Sequence, residues 1–138
     1  MQPYAEDLNY WKTSKQSPGH WLDKAADFLT ECGAEVRTTA KGMNDGQAAY
    51  LLEFSVKGDS FRIVWPVLES MRGDVKAAER QAATMLYHDV KSRAIRLAIG
   101  GARMAYFEFL VLPDGRTFGQ LASEHITDAV ALLPPPSH

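Results

Sequence analysis

The sequence predicts an α+β domain: a helix, a three-stranded antiparallel sheet, a long helix packed on that sheet, then one or two short C-terminal helices. Three observations carry this. Residues 47–57 alternate, with Tyr50, Leu52, Phe54 and Val56 on one face and Ala49, Leu51, Glu53, Ser55 and Lys57 on the other. Residues 74–99 repeat apolar side chains at helical spacing instead. The strand-like runs follow one another across short Gly- and Asp-bearing turns, with no helix between them, so antiparallel pairing is expected.

The elements follow in order. Residues 1–18 lack sustained periodicity and read as a loosely attached arm, whose Tyr4, Tyr10 and Trp11 are costly to leave in water. A first helix is predicted over 19–31: Pro18 suits a first turn, and Trp21, Leu22, Ala25, Phe28 and Leu29 share a stripe. Gly33 suits its end, and Cys32 beside it reads as a small buried apolar group. Residues 34–40, with Val36, Thr38 and Thr39, suit an edge strand. Lys41–Gly46 reads as a turn, and Gly58-Asp59 as a tight reversal into a third strand, Phe61–Val67, that Pro66 ends or confines to an edge.

The long helix is expected to start at Asp74 as N-cap and run unbroken to about Ile99, roughly 39 Å at 1.5 Å per residue. Val75, Ala78, Ala82, Leu86, Val90, Ala94 and Leu97 form its apolar stripe. Gly100-Gly101 stops or kinks it. Residues 102–111 fit either a short helix, through Met104, Phe107, Leu110 and Val111, or a buried strand; helix is preferred. Leu112–Thr117 is a Pro-Asp-Gly turn, with Thr117 placed to cap a last helix over about 118–131 whose Leu121, Ala122, Ile126 and Val130 point inward. The expected division is thus an arm over 1–18, one domain over 19–133 and a tail over 134–138.

Composition narrows the function classes. With 46% hydrophobic and 23% charged residues, the chain has the make-up of a globular protein. Its single cysteine excludes an intrachain disulfide and a four-Cys zinc site. With no apolar run approaching about 20 residues and no basic-then-apolar leader, no membrane contact and a cytoplasmic address are expected. The net charge is only −2, yet Arg72 to Arg103 carries seven basic residues against three acids, leaving the remainder at −6.

Catalytic patterns are missing at the spacing they require. His20, His88, His125 and His138 are scattered and lack a second histidine or cysteine at i+3 or i+4, so no metal and no cofactor are expected. Asp45 and Glu53 echo the carboxylates of a Mg²⁺-dependent nuclease, but Ser55 stands where a lysine is needed and Lys57 lies one pleat too far. No Gly-x-Ser-x-Gly elbow or phosphate-binding glycine loop is present.

Two resemblances add context. Lys76, Ala82-Ala83 and Leu86, opening a second helix after three strands, resemble the double-stranded-RNA-binding domain over about 65 residues. That family's lysine cluster is replaced by Asp74, Val75 and Glu79, and its Gly-Pro-x-His loop is absent. Over roughly 20–130, Gly33-Ala34, Phe54-x-Val56, Arg62-Ile63-x-Trp65-Pro66, Glu79-Arg80-Gln81, Asp89-Val90-Lys91, Phe107-x-Phe109-Leu110 and Leu112–Thr117 resemble a group of small uncharacterised proteins of bacteriophages and integrated elements. The resemblance implies a phage or mobile-element setting and brings no site residues with it.

Two functions are therefore expected to compete. The leading one is a non-enzymatic nucleic-acid-binding accessory protein using Lys76, Arg80, Tyr87, Lys91, Arg93 and Arg96 as a cationic helix face. The other is a protein-interaction module, a homo-oligomer or an inhibitor of a host protein. It would use Tyr4, Tyr10 and Trp11 or the apolar surface around Met104–Leu110.

Overall fold

The computed structural model describes residues 2–13 and 15–123. It shows the α+β architecture: α1 (Pro18–Glu31), β1 (Glu35–Asn44), β2 (Gln47–Val56), β3 (Asp59–Pro66), α2 (Val75–Ser92) and α3 (Ala94–Ala105). Single 3-10 turns lie at Ala5–Asp7 and Phe107–Phe109, and residues 118–123 are helical. The strands pair antiparallel in the order β1-β2-β3, so β1 is an edge as its threonines suggested.

The sheet is one-sided because β2 alternates. Tyr50, Leu52 and Phe54 are buried with Phe61 and Ile63 of β3 under α1 and α2. Across the other face, Thr38, Glu53 and Arg62 stand in register, followed by Ala40, Leu51 and Val64. Both hairpins close in two residues. Asp45-Gly46 and Lys57-Gly58 all have positive φ (51°, 79°, 50° and 86°), the mirror-image turn whose twist matches paired strands. This shortens the turn expected at Lys41–Gly46, most of which is strand, and moves the second reversal from Gly58-Asp59 to Lys57-Gly58.

Ser17 caps α1 by accepting a hydrogen bond from the His20 amide, and Asp74 caps α2 by accepting one from Ala77. Cys32, expected to be buried, is exposed, because it caps the C-terminus of α1 where the chain turns away from the core. α2 is buried over more than a stripe: Ala78, Ala82, Leu86 and Val90 face the sheet, while Ala83 and Tyr87 are also buried. Val75, at the start of the expected stripe, is exposed.

The long helix is not continuous. It breaks at Arg93 (φ −87°, ψ 5°), which ends α2 and begins α3. No proline or glycine sits there. The break is tertiary: Arg93 donates to the Ala105 carbonyl, and Tyr106 returns to donate from its hydroxyl to the Val90 carbonyl at 2.9 Å. Tyr106 is fully buried, with ring centroids 5.3 Å from Phe54 and 6.3 Å from Phe61. Burial pushes its hydroxyl up to about 12. Gly101 (φ 78°) kinks α3, and only there does the expected glycine effect operate.

After Phe107–Phe109 the backbone extends, with Leu110 bridging Phe61 and Val111 bridging Thr117. The preferred short helix over 102–111 is thus partly replaced by extended chain docked beside β3. Thr117 caps the following helix as expected: its hydroxyl accepts from the Gln120 amide, while Gln120 accepts from the Thr117 amide. Ile126 and Val130, assigned to that helix from sequence, lie outside the described residues.

The N-terminal arm is tied down firmly. Gln81, 1% exposed, donates to the carbonyls of Ala5 (2.7 Å), Asn9 (3.0 Å) and Leu8 (3.4 Å). Glu6 accepts from the Ser70 hydroxyl and from the Met71 and Arg72 amides. Burial works to raise the Glu6 carboxyl, but these hydrogen bonds outweigh it and bring it down to about 2.

Candidate interaction surface

α3 and the turn after it carry four exposed large apolar side chains within thirteen residues. Residues 94–99 read Ala-Ile-Arg-Leu-Ala-Ile; Leu97 packs against the core, which turns Ile95 and Ile99 outward at 73% and 76% exposure. Spaced i, i+4, the two isoleucines are neighbours on one side of the helix. Gly100 lets Met104 fold back onto the helix, since a Cβ there would collide with the Met104 side chain. Met104 and Phe107 are each 51% exposed, and Phe107 lies 4.4 Å from Phe118 by ring centroid. The surface is held in place by Ala105 and Tyr106, both buried.

Cations border it. Arg96 is exposed and forms no ion pair among the described residues. Arg103 meets Asp59 through two hydrogen bonds of 2.6 and 2.9 Å, which hold the Asp59 carboxyl below its usual range. The nearby acids are engaged. Arg93 pairs with Glu108, and its Nε lies 3.3 Å from Asp89 Oδ2, an ion pair without hydrogen-bond alignment.

The residues assigned to nucleic acid are only partly brought together. Lys76 and Lys91 are exposed and Arg80 is half-buried on α2. Tyr87, expected to stack or hydrogen-bond with nucleic acid, is 6% exposed, because α1 covers that side of α2 and Trp21 packs 5.4 Å from its ring. Arg93, expected outward, is engaged with Asp89, Glu108 and the Ala105 carbonyl and lies over the Phe109 ring at 4.9 Å. Arg96 follows the break, so it does not continue the α2 row. What sequence reasoning missed is Lys24 of α1, whose ammonium sits 5.0 Å from the Tyr87 ring, with Lys91 at 5.7 Å. The exposed side of α1 also presents Asp23, Asp27 and Glu31, which dilute that positive field.

The aromatic arm is largely spent within the chain. Tyr10 stacks on His88 at 4.9 Å and Trp11 packs against the core, leaving Tyr4 exposed. The arm therefore supplies one free aromatic ring of the three expected. Beside it opens a groove of about 750 Å³ lined by Tyr4, Gln47, Glu69 and Val75, among others. Its Gln47 amide is already bound to Gln2 and to the Val67 carbonyl.

Asp45 and Glu53 are not brought together. Asp45 sits in the β1–β2 turn, while Glu53 lies six residues beyond Gln47 along β2, roughly 20 Å away at strand rise. Glu53 pairs with Arg62 at 3.5 Å instead. Among the described residues no group of three metal-ligating side chains forms, and no helix is long and apolar enough to cross a membrane. No protein-family model, no curated protein and no solved structure matches the chain, so the surface itself is what bears on function.

Proposed function

We propose that this chain is a non-enzymatic protein-interaction module that docks a partner on α3 and the turn following it. The observation that carries the reading is the set Ile95, Ile99, Met104 and Phe107, all more than half exposed on a segment the core holds in place. Fully burying one such side chain is worth about 1.5–3 kcal/mol, so the exposed fractions of the four represent about 4–7 kcal/mol of burial not yet realised. In a phage or mobile-element setting, an inhibitor of a host protein fits this reading.

A photo-crosslinking residue at Ile99 tests it, with Lys57 in the exposed β2–β3 turn as control. Defined protein adducts at Ile99, absent at Lys57, are expected in cells expressing the protein. Equal labelling at both sites rejects the reading.

Nucleic-acid contact remains a second reading, favoured by one observation. Lys24, Lys76, Arg80 and Lys91 form no ion pair among the described residues. About four phosphate contacts would make affinity fall steeply with salt. An oligonucleotide titration at two salt concentrations checks this, and absence of binding at low salt removes it.

A further inference from the structure

Resting on the interaction-module reading, we infer that the partner is an amphipathic segment carrying Asp or Glu beside its apolar stripe, rather than a second copy of this chain. The apolar surface has a cationic border and, among the described residues, no free acid of its own. Ala94–Ala105 contains Arg96 and Arg103 and neither Asp nor Glu. Arg96 is exposed and stands three residues before Ile99, which makes the two neighbours on the helix surface. It has no acid partner among the described residues, while Arg93 holds Asp89 and Glu108 and Arg103 holds Asp59.

Self-association meets the wrong charges. A second copy offers Arg96 no acid, because α3 has none and Asp59, Asp89 and Glu108 are already paired, so two such borders bring like charges together. Like charges facing across an interface suppress that partner, whereas an acidic border would complement Arg96 and steer the encounter. Apolar area would supply the affinity and the arginines the choice.

The test uses the full chain and two labelled synthetic helices of about 18 residues, long enough to hold several turns. Both carry one leucine stripe, flanked by Glu in one and by Lys in the other. Fluorescence anisotropy is expected to show the Glu peptide binding about tenfold more tightly at low salt, with the gap narrowing at high salt. Arg96→Glu should remove the preference while far-UV circular dichroism stays unchanged. Ile95→Ala with Ile99→Ala should weaken both peptides.

Equal binding of the two peptides overturns the inference but leaves the module reading standing. So does Ile99 crosslinking to a second copy, whereas binding to phosphatidylserine vesicles with none to the Glu peptide overturns both. If neither peptide binds and the Ile99 crosslinker captures nothing beyond the Lys57 control, the module reading itself fails.

Discussion

Gln81→Leu isolates what fastens the N-terminal arm. The substitution keeps a buried side chain of similar reach but removes the amide hydrogens given to Ala5, Leu8 and Asn9. Ala5 is fully buried, so its carbonyl has no route to water, whereas Leu8 is 39% exposed and Asn9 is also exposed. The Ala5 carbonyl keeps the Leu8 amide as its one remaining donor, so losing the Gln81 bond there costs about 0.5–1.5 kcal/mol, and partial losses at the other two bring the total to about 1–3 kcal/mol. At roughly 3 °C per kcal/mol for a chain of this size, Tm should fall by about 3–9 °C. Urea unfolding followed by tryptophan fluorescence gives the free energy, with Lys76→Ala on the exposed face of α2 as control. Hydrogen exchange should show the Leu8 amide, bonded to the Ala5 carbonyl at 3.2 Å, losing protection. A loss below about 0.5 kcal/mol, the range of an ordinary surface change, would refute the reasoning, as would unchanged protection at Leu8.

Further consequences can be measured on the same protein. The Glu6 carboxyl falls from 4.5 to about 2 on folding, so the stability it contributes is complete above the unfolded value and disappears as pH drops from about 4.5 towards 2. Glu6→Gln should flatten the acid limb of stability against pH in that window; an identical limb would contradict this. Tyr106→Phe removes the hydroxyl bonded to the Val90 carbonyl and should cost about 1–2 kcal/mol in urea unfolding, with a neutral result ruling out its role in fastening α3 to α2. Ile99→Asp should leave Tm within about 2 °C, since the side chain is 76% exposed, and should abolish the Ile99-surface interaction measured with the Glu peptide. A large fall in Tm would show that Ile99 supports the fold itself.

The sequence by itself determined the local parts. Alternation in β2 chose its buried face, Asp74 and Thr117 capped the helices assigned to them, and Asp45-Gly46 closed the first hairpin. Each depends on neighbours a few residues away, so its signal is written in one short window. The tertiary structure decided the remainder. Arg93 breaks a helix that has no local breaker, because Ala105, Glu108 and Tyr106 are brought to it from twelve to fifteen residues on. α1 buries Tyr87 and turns it from a binding group into packing, and Gln81 reaches back over seventy residues to hold the arm. The Ile95–Ile99 surface was half legible: Leu97 already stood on the buried stripe, but nothing local shows that the two isoleucines opposite it stay uncovered. Periodicity shows that a helix has an apolar side. Which side is covered depends on the direction of the chain after a break, and that direction is set by contacts between residues far apart in sequence.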